Sequence, residues 1–141
     1  MKPQARAFLD KSRELLDNAD TMLRVGLNEA AGRTAYLAGL HAAQALIFEM
    51  TDRVFKRHST VHRELGRLVR DDPRFDADLR AFLPRTYNLK AIADYETGPG
   101  SRLSPESARE AIQTARRFVE NVASLIPAHG HTPPTPETPK P

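Results

Sequence analysis

Three side chains with complementary chemistry fall together at Lys90–Tyr95, in the run Lys-Ala-Ile-Ala-Asp-Tyr. Lys90 and Asp94 are four apart, so on a helix they share a face, and Tyr95 lies one step round from Asp94. A cation, a carboxylate and a phenol so arranged could hold a phosphate, or could form an ordinary surface ion pair beside a packed tyrosine. Residue types and spacing leave both readings open. A second set lies earlier in the chain. Arg33 and Tyr36 are three apart and can share a helix face, with His41 about two turns beyond Arg33. Their structural role would be buried hydrogen bonding and ring stacking, and their functional role would be binding. A third set is the basic connection Arg53-Val54-Phe55-Lys56-Arg57-His58, continued by His62, Arg63, Arg67 and Arg70. It could follow RNA phosphates, in which case affinity should fall steeply with salt, or it could be a solvated face.

Whatever holds these groups must be helical. Phe8, Leu9, Leu15, Leu16, Ala19, Met22 and Leu23 recur at three-and-four spacing over about Pro3 to Val25, and Gly26 is a stop signal. Asn28 to about Val54 reads as the longest helix, with Asn28 as its cap and Glu29 in its first turn. Its middle is rich in alanine, with Gly32 and Gly39 among them. Each glycine costs about 1 kcal/mol against alanine in a helix interior. Close packing is the expected compensation, which makes this helix central. A short third helix is predicted from about Val61 to Arg70, capped by Ser59 or Thr60, with His62 on its basic outer face. The fourth runs from about Arg74 to Glu96 on an inner stripe of Phe75, Leu79, Phe82, Leu83, Tyr87, Leu89 and Ile92. Pro84 falls inside it and predicts a bend. Ser104-Pro105-Glu106 is a helix start, and Ala108 to Leu125 keep the helical period.

No strand alternation and no repeat occurs, so the expected fold is an all-α bundle of about five helices over residues 1–126. Residues 127–141 are rich in proline and threonine and read as a disordered tail. His129 and His131 lie there; two ligands on a solvated tail make no fixed metal site. No metal or cofactor is expected, and no glycine-rich phosphate loop is present. The chain has 141 residues, a formal charge of +3 and no cysteine. Disulfides and thiolate chemistry are thereby excluded. No apolar run reaches the ~20 residues a membrane helix needs. A cytoplasmic setting, with no membrane, is the expectation.

The motifs also carry a family resemblance. Arg33-Thr34-Ala35-Tyr36-Leu37-Ala38-Gly39-Leu40-His41-Ala42-Ala43-Gln44-Ala45-Leu46-Ile47 resembles the central helix of prokaryotic HEPN domains. Lys56-Arg57-His58-Ser59-Thr60-Val61 resembles the basic-His-Ser turn of one HEPN branch, and Lys90–Tyr95 resembles its Arg-x-x-Ala-Asp-Tyr segment. Ser104 onward resembles the final helix. The similarity spans about Leu9 to Ile126. It implies an up-and-down bundle that usually dimerises, and an RNA-acting toxin or defence protein often encoded beside a minimal nucleotidyltransferase.

Many relatives in that family carry Arg, then four to six residues, then His, as a metal-independent ribonuclease site. The RNA 2′-hydroxyl is its own nucleophile, a histidine can move the proton, and an arginine fork can hold the anionic oxygens. This chain lacks that motif in its usual place. Lys90 stands where the related segment has arginine, and Asp94 and Tyr95 occupy the region of the histidine. Arg53 with His58, and Arg57 with His62, fit the spacing on a different element. The resemblance therefore implies a dimeric HEPN-family binding or accessory protein, RNA-associated and paired with a nucleotidyltransferase. The alternatives are a metal-independent endoribonuclease using Lys90, Asp94 and Tyr95 or the basic turn, and a non-catalytic interaction scaffold. Arg33, Tyr36, His41, Arg53, Lys56, Arg57 and His58 are the candidate binding residues.

Overall fold

In the computed structural model the chain forms five helices: α1 (Pro3–Arg24), α2 (Asn28–Thr51), α3 (His58–Leu68), α4 (Ala77–Tyr95) and α5 (Pro105–Leu125). The structure describes residues 1–95 and 103–127, except for the side chains of residues 90–95. Among the described residues there is no strand. The tail read at 127–141 lies outside the described residues from 128 onward. No helix among those described is long and apolar enough to cross a membrane.

Helix α2 is the axis, and all the other helices touch it. Its small side chains are the reason: Ala31, Ala35, Ala38, Ala42, Ala43 and Ala45 are fully buried around its circumference. Gly32 and Gly39 mark the closest approaches. A Cβ on Gly32 would stand 2.7 Å from Leu103 Cδ2, and one on Gly39 would overlap the buried Phe82 ring of α4. The helix-propensity penalty at both positions is thus traded for backbone proximity.

The α1–α2 hairpin closes through three residues. Gly26 takes φ +86°, and the Leu27 and Gly26 amides donate to the Met22 and Leu23 carbonyls at 2.8 and 3.0 Å. This is a Schellman end, and glycine supplies the left-handed residue it requires. Asn28 does not cap α2 as its position suggests. Leu27 is the capping residue, and the Asn28 side chain instead donates to the Leu103 carbonyl at 3.3 Å. The Glu29 carboxylate accepts from the Leu103 amide at 2.7 Å. The two polar residues clamp the entry to α5 against the start of α2. From there Ser104 caps α5 by accepting from the Ser107 amide at 3.0 Å, with Pro105 at the first helical position.

Helix α3 begins at His58, three residues before the expected Val61, with Arg57 as its cap and no hydroxyl cap from Ser59 or Thr60. Helix α4 starts at Ala77, where the Asp76 carboxylate accepts from the Leu79 amide at 2.9 Å. That bond, together with Arg117, holds the Asp76 carboxyl below its ordinary range. α4 continues as one helix through Pro84 although that residue has no amide to donate. Packing supports the segment before it: Phe82 lies 4.9 Å from Phe118 of α5, and Phe75 meets the same ring edge-on at 5.7 Å. Surface ion pairs such as Arg13–Glu120 and Arg116–Asp20 join α1 to α5. Exposed pairs of this kind contribute little beside that core.

Candidate functional site

The early start of α3 has a chemical consequence. It places His58 and His62 four residues apart on one helix face, and Val61 and Leu65 anchor that helix on the core. Both imidazoles turn toward Tyr36 of α2. The Tyr36 side chain is fully buried, with its hydroxyl 2.8 Å from His58 Nδ1 and 2.8 Å from His62 Nε2. His62, expected on the outer face of α3, is therefore drawn inward. Its partner phenol offers a hydrogen bond that an outward rotamer would leave unmade.

A phenol carries a single proton. With both imidazoles neutral, it donates to one ring and accepts from the N–H of the other. Two complementary arrangements result, and passing from one to the other also moves a proton off the outer nitrogen of one ring and onto the outer nitrogen of the other. Tyr36 thereby links the two histidines into a continuous hydrogen-bonded chain. Burial, and then the neighbouring Tyr87, push the Tyr36 phenol well above its ordinary range, so it stays protonated. Burial, and then the charge of His58, lower His62 below its ordinary value of 6.5. At neutral pH His62 is an uncharged acceptor or donor rather than a cation.

Helix α4 supplies the fourth ring. Tyr87 meets Tyr36, His58 and His62 edge-on, at centroid separations of 5.5, 5.6 and 6.0 Å. Tyr36 in turn stacks on His58 at 5.6 Å. α3 packs chiefly on α2 and only brushes α4. An open depression of about 580 Å³ remains between them, lined by Arg57, His58, Ser59, His62, Pro84 and Tyr87. Arg57 is exposed, as are Lys56 and Arg53 in the connection that leads to it, where the Arg53 guanidinium lies 4.9 Å from the Phe55 ring centre. Among the described residues no three metal-ligating side chains converge, and the two histidines are engaged with a phenol. The chemistry available here is hydrogen bonding, proton transfer and anion contact.

The remaining sequence candidates divide. Arg33 is exposed on α2, one turn before Tyr36. His41 is not part of the cluster. Its Nδ1–H donates to Gln44 Oε1 at 2.7 Å, and Gln44 Nε2 donates to the Phe55 carbonyl at 2.9 Å. His41 also stacks on Phe8 of α1 at 6.1 Å. Its work is to tie the α2–α3 connection to the hairpin, which steadies the basic run. Lys90, Asp94 and Tyr95 occupy the last turns of α4, but their side chains lie outside the described residues. Sequence reasoning places Tyr87, Pro84 and Ser59 as core stripe, bend and cap, and so misses them as lining. The available signal is the four-residue spacing of His58 and His62, which becomes visible once α3 is started at His58.

The lowered His62 pKa has a sign that can be tested. The unfolded chain takes up the His62 proton near pH 6.5, while the folded chain takes it up only at lower pH. Between the two the unfolded state holds more protons, so stability is full above that window and falls as pH drops through it. Urea unfolding at pH 7.5 and pH 5.5 should show a loss on acidification, and His62→Gln should show a smaller one. Equal losses would place His62 outside the buried cluster.

Comparison with known proteins agrees with this architecture. The crystal structure of TT1696 from Thermus thermophilus superposes with a TM-score of 0.73. The two sequences are 23% identical, over 87% of this chain and 98% of that one, a likeness that establishes the fold alone. No curated protein shows significant sequence similarity to the chain. The HEPN domain profile matches residues 5–125, which include every helix from its first buried residue, Ala5, to the end of α5. A match over that much of the sequence makes the chain a member of the HEPN domain family.

Proposed function

We propose that this HEPN protein is an RNA-associated component of a prokaryotic toxin–antitoxin or defence system. It meets RNA at the depression between α3 and α4. The observation that carries the reading is the linked His58–Tyr36–His62 chain beside a hollow lined by Arg57, with the exposed Lys56 and Arg53 in the connection that leads to it. Basic side chains along this connection suit phosphates, and the imidazoles suit ribose hydroxyls and phosphate oxygens. Lys90, Asp94 and Tyr95 come three to eight residues after Tyr87 on the same helix and belong to this proposal as its far end. The protein works as a homodimer, with a minimal nucleotidyltransferase as its partner.

Fluorescence anisotropy with a labelled single-stranded RNA tests the RNA claim. Affinity should fall linearly in log–log form as salt rises, and Lys56→Ala and Arg57→Ala should each lower the slope by about 1. Absence of salt-dependent binding would overturn the reading. Light scattering and co-purification with a co-expressed nucleotidyltransferase check the assembly.

A second reading, a metal-independent endoribonuclease, is favoured by one feature: two imidazoles joined through a hydroxyl can take a proton at one end and release one at the other. Such a pair can serve a 2′-hydroxyl nucleophile and its leaving oxygen together. Incubation with total RNA in chelator decides between them. Cleavage that disappears in His58→Ala and His62→Ala would establish the enzyme, and intact RNA would leave the binding protein.

A further inference from the structure

Tyr87 stands out once the cluster is assembled. It is 40% exposed although it lies against three other rings, among the few large apolar or aromatic side chains so exposed. Among the described residues the others are Val25 and Leu27 at the α1–α2 turn, Met50 near the end of α2 and Val54 in the α2–α3 connection. Pro84 is exposed one turn before Tyr87 on α4 and lines the same depression. The wall that α4 contributes is thus a phenol ring and a pyrrolidine ring, side by side. The opposite wall, from the start of α3, carries Arg57, His58 and Ser59.

Resting on the RNA reading above, we propose that this depression is a pocket for a single unpaired nucleotide. Its base stacks against Tyr87 beside Pro84, and its phosphate is held by Arg57 with the Ser59 hydroxyl.

Three observations support it. First, Tyr87 is held against the cluster before any ligand arrives: edge-on contacts at 5.5–6.0 Å to three rings restrain it, so little side-chain freedom is lost on stacking. Second, the hollow of about 580 Å³ is in the range of small-ligand sites, and its lining is mostly rings with a few polar groups at one side. That division matches a nucleotide, which has one apolar flat face and one anionic end. Third, a base inside a duplex has both faces covered by its neighbours, so only an unpaired or splayed nucleotide can offer one to Tyr87. The site selects single strands through stacking and tolerates sequence, because every base has a π-face.

The test compares three probes of eight residues on the intact protein: an oligoadenylate, an abasic ribose-phosphate strand of equal charge, and a duplex of the same length. Fluorescence anisotropy at one fixed salt concentration should rank the oligoadenylate about 10-fold or more tighter than the abasic strand. Tyr87→Ala should abolish that gap by weakening only the oligoadenylate, while Tyr87→Phe should preserve it. Equal affinity of wild type for the based and abasic strands would overturn the stacking pocket and leave the RNA reading standing. Duplex binding as tight as oligoadenylate binding would overturn it too. Loss of both strands in Tyr87→Ala would overturn it by showing that the ring merely supports the cluster. Failure of every probe to bind would overturn the RNA reading itself and this inference with it.

Discussion

Phe82→Ala is expected to lower the free energy of unfolding by about 3–5 kcal/mol, a large share of what holds a small domain folded. Phe82 is 1% exposed and fills the space between α2 and α5, against Gly39 on one side and Phe118 on the other. Its removal leaves a cavity that rigid helix backbones cannot close. The partner position makes the experiment sharper. Gly39→Ala should improve the intrinsic helix propensity of α2 by about 1 kcal/mol. Its new methyl would nevertheless overlap the Phe82 ring, and would stand 3.1 Å from Phe82 Cδ2 and 3.3 Å from Leu83 Cδ2. Overpacking of that kind costs about 1–3 kcal/mol, so packing and propensity oppose each other and packing should prevail. Urea unfolding should show the alanine variant destabilised. The two sites should also fail to add: Phe82→Leu gives the methyl somewhere to go, so the double variant should be more stable than the sum of the singles predicts. A Gly39→Ala protein more stable than wild type would show that α2 and α4 do not approach as closely as described.

Tyr36→Phe removes one oxygen and should act far beyond its size. The hydroxyl serves two imidazole nitrogens at 2.8 Å each, and phenylalanine leaves both without that partner in a half-buried cluster. Stability should fall by about 2 kcal/mol, although the ring itself still fits. The functional loss should be greater. If the protein cleaves RNA, the variant should be slower by about 100-fold or more, because the proton route between the histidines is cut. If it only binds, affinity should change little, since the phosphate contacts lie at Lys56 and Arg57. Imidazole nitrogen chemical shifts give a readout independent of activity: at a pH where both rings are neutral the wild type should show complementary tautomers, and in Tyr36→Phe that coupling should vanish. Unchanged histidine shifts would mean that Tyr36 does not join the two rings.

The helices are legible in the sequence because their apolar periods are long and clean, and the Ser104-Pro105 start of α5 and the Gly26 stop stand where the pattern puts them. So does the crowding around Gly39, since interior glycines in a helix need a reason. The functional centre is legible only in part. Tyr36 and His58 can be singled out by type and family likeness. His62 reads as part of the basic outer face, because a helix started at Val61 leaves out His58, the residue one turn earlier on the same face. A shift of a few residues at a helix end, where hydroxyls compete to cap, decides which side chains join a face. Tyr87 is absorbed into a core stripe, since a phenol at that spacing packs as well as leucine does. Its partial exposure follows from how lightly α3 rests on α4, and no local pattern encodes that. The polar clamp of Asn28 and Glu29 on Leu103 escapes for the same reason: its two halves are 74 or 75 residues apart.

The chain has no tryptophan and three tyrosines, and two of those three, Tyr36 and Tyr87, stand inside the ring cluster. Ultraviolet absorption and emission near the tyrosine bands therefore originate largely in the ring cluster, with Tyr87 on the wall of the depression and Tyr36 behind it. Occupancy of the hollow can be followed by light alone, in unlabelled protein, with the molecule as its own indicator.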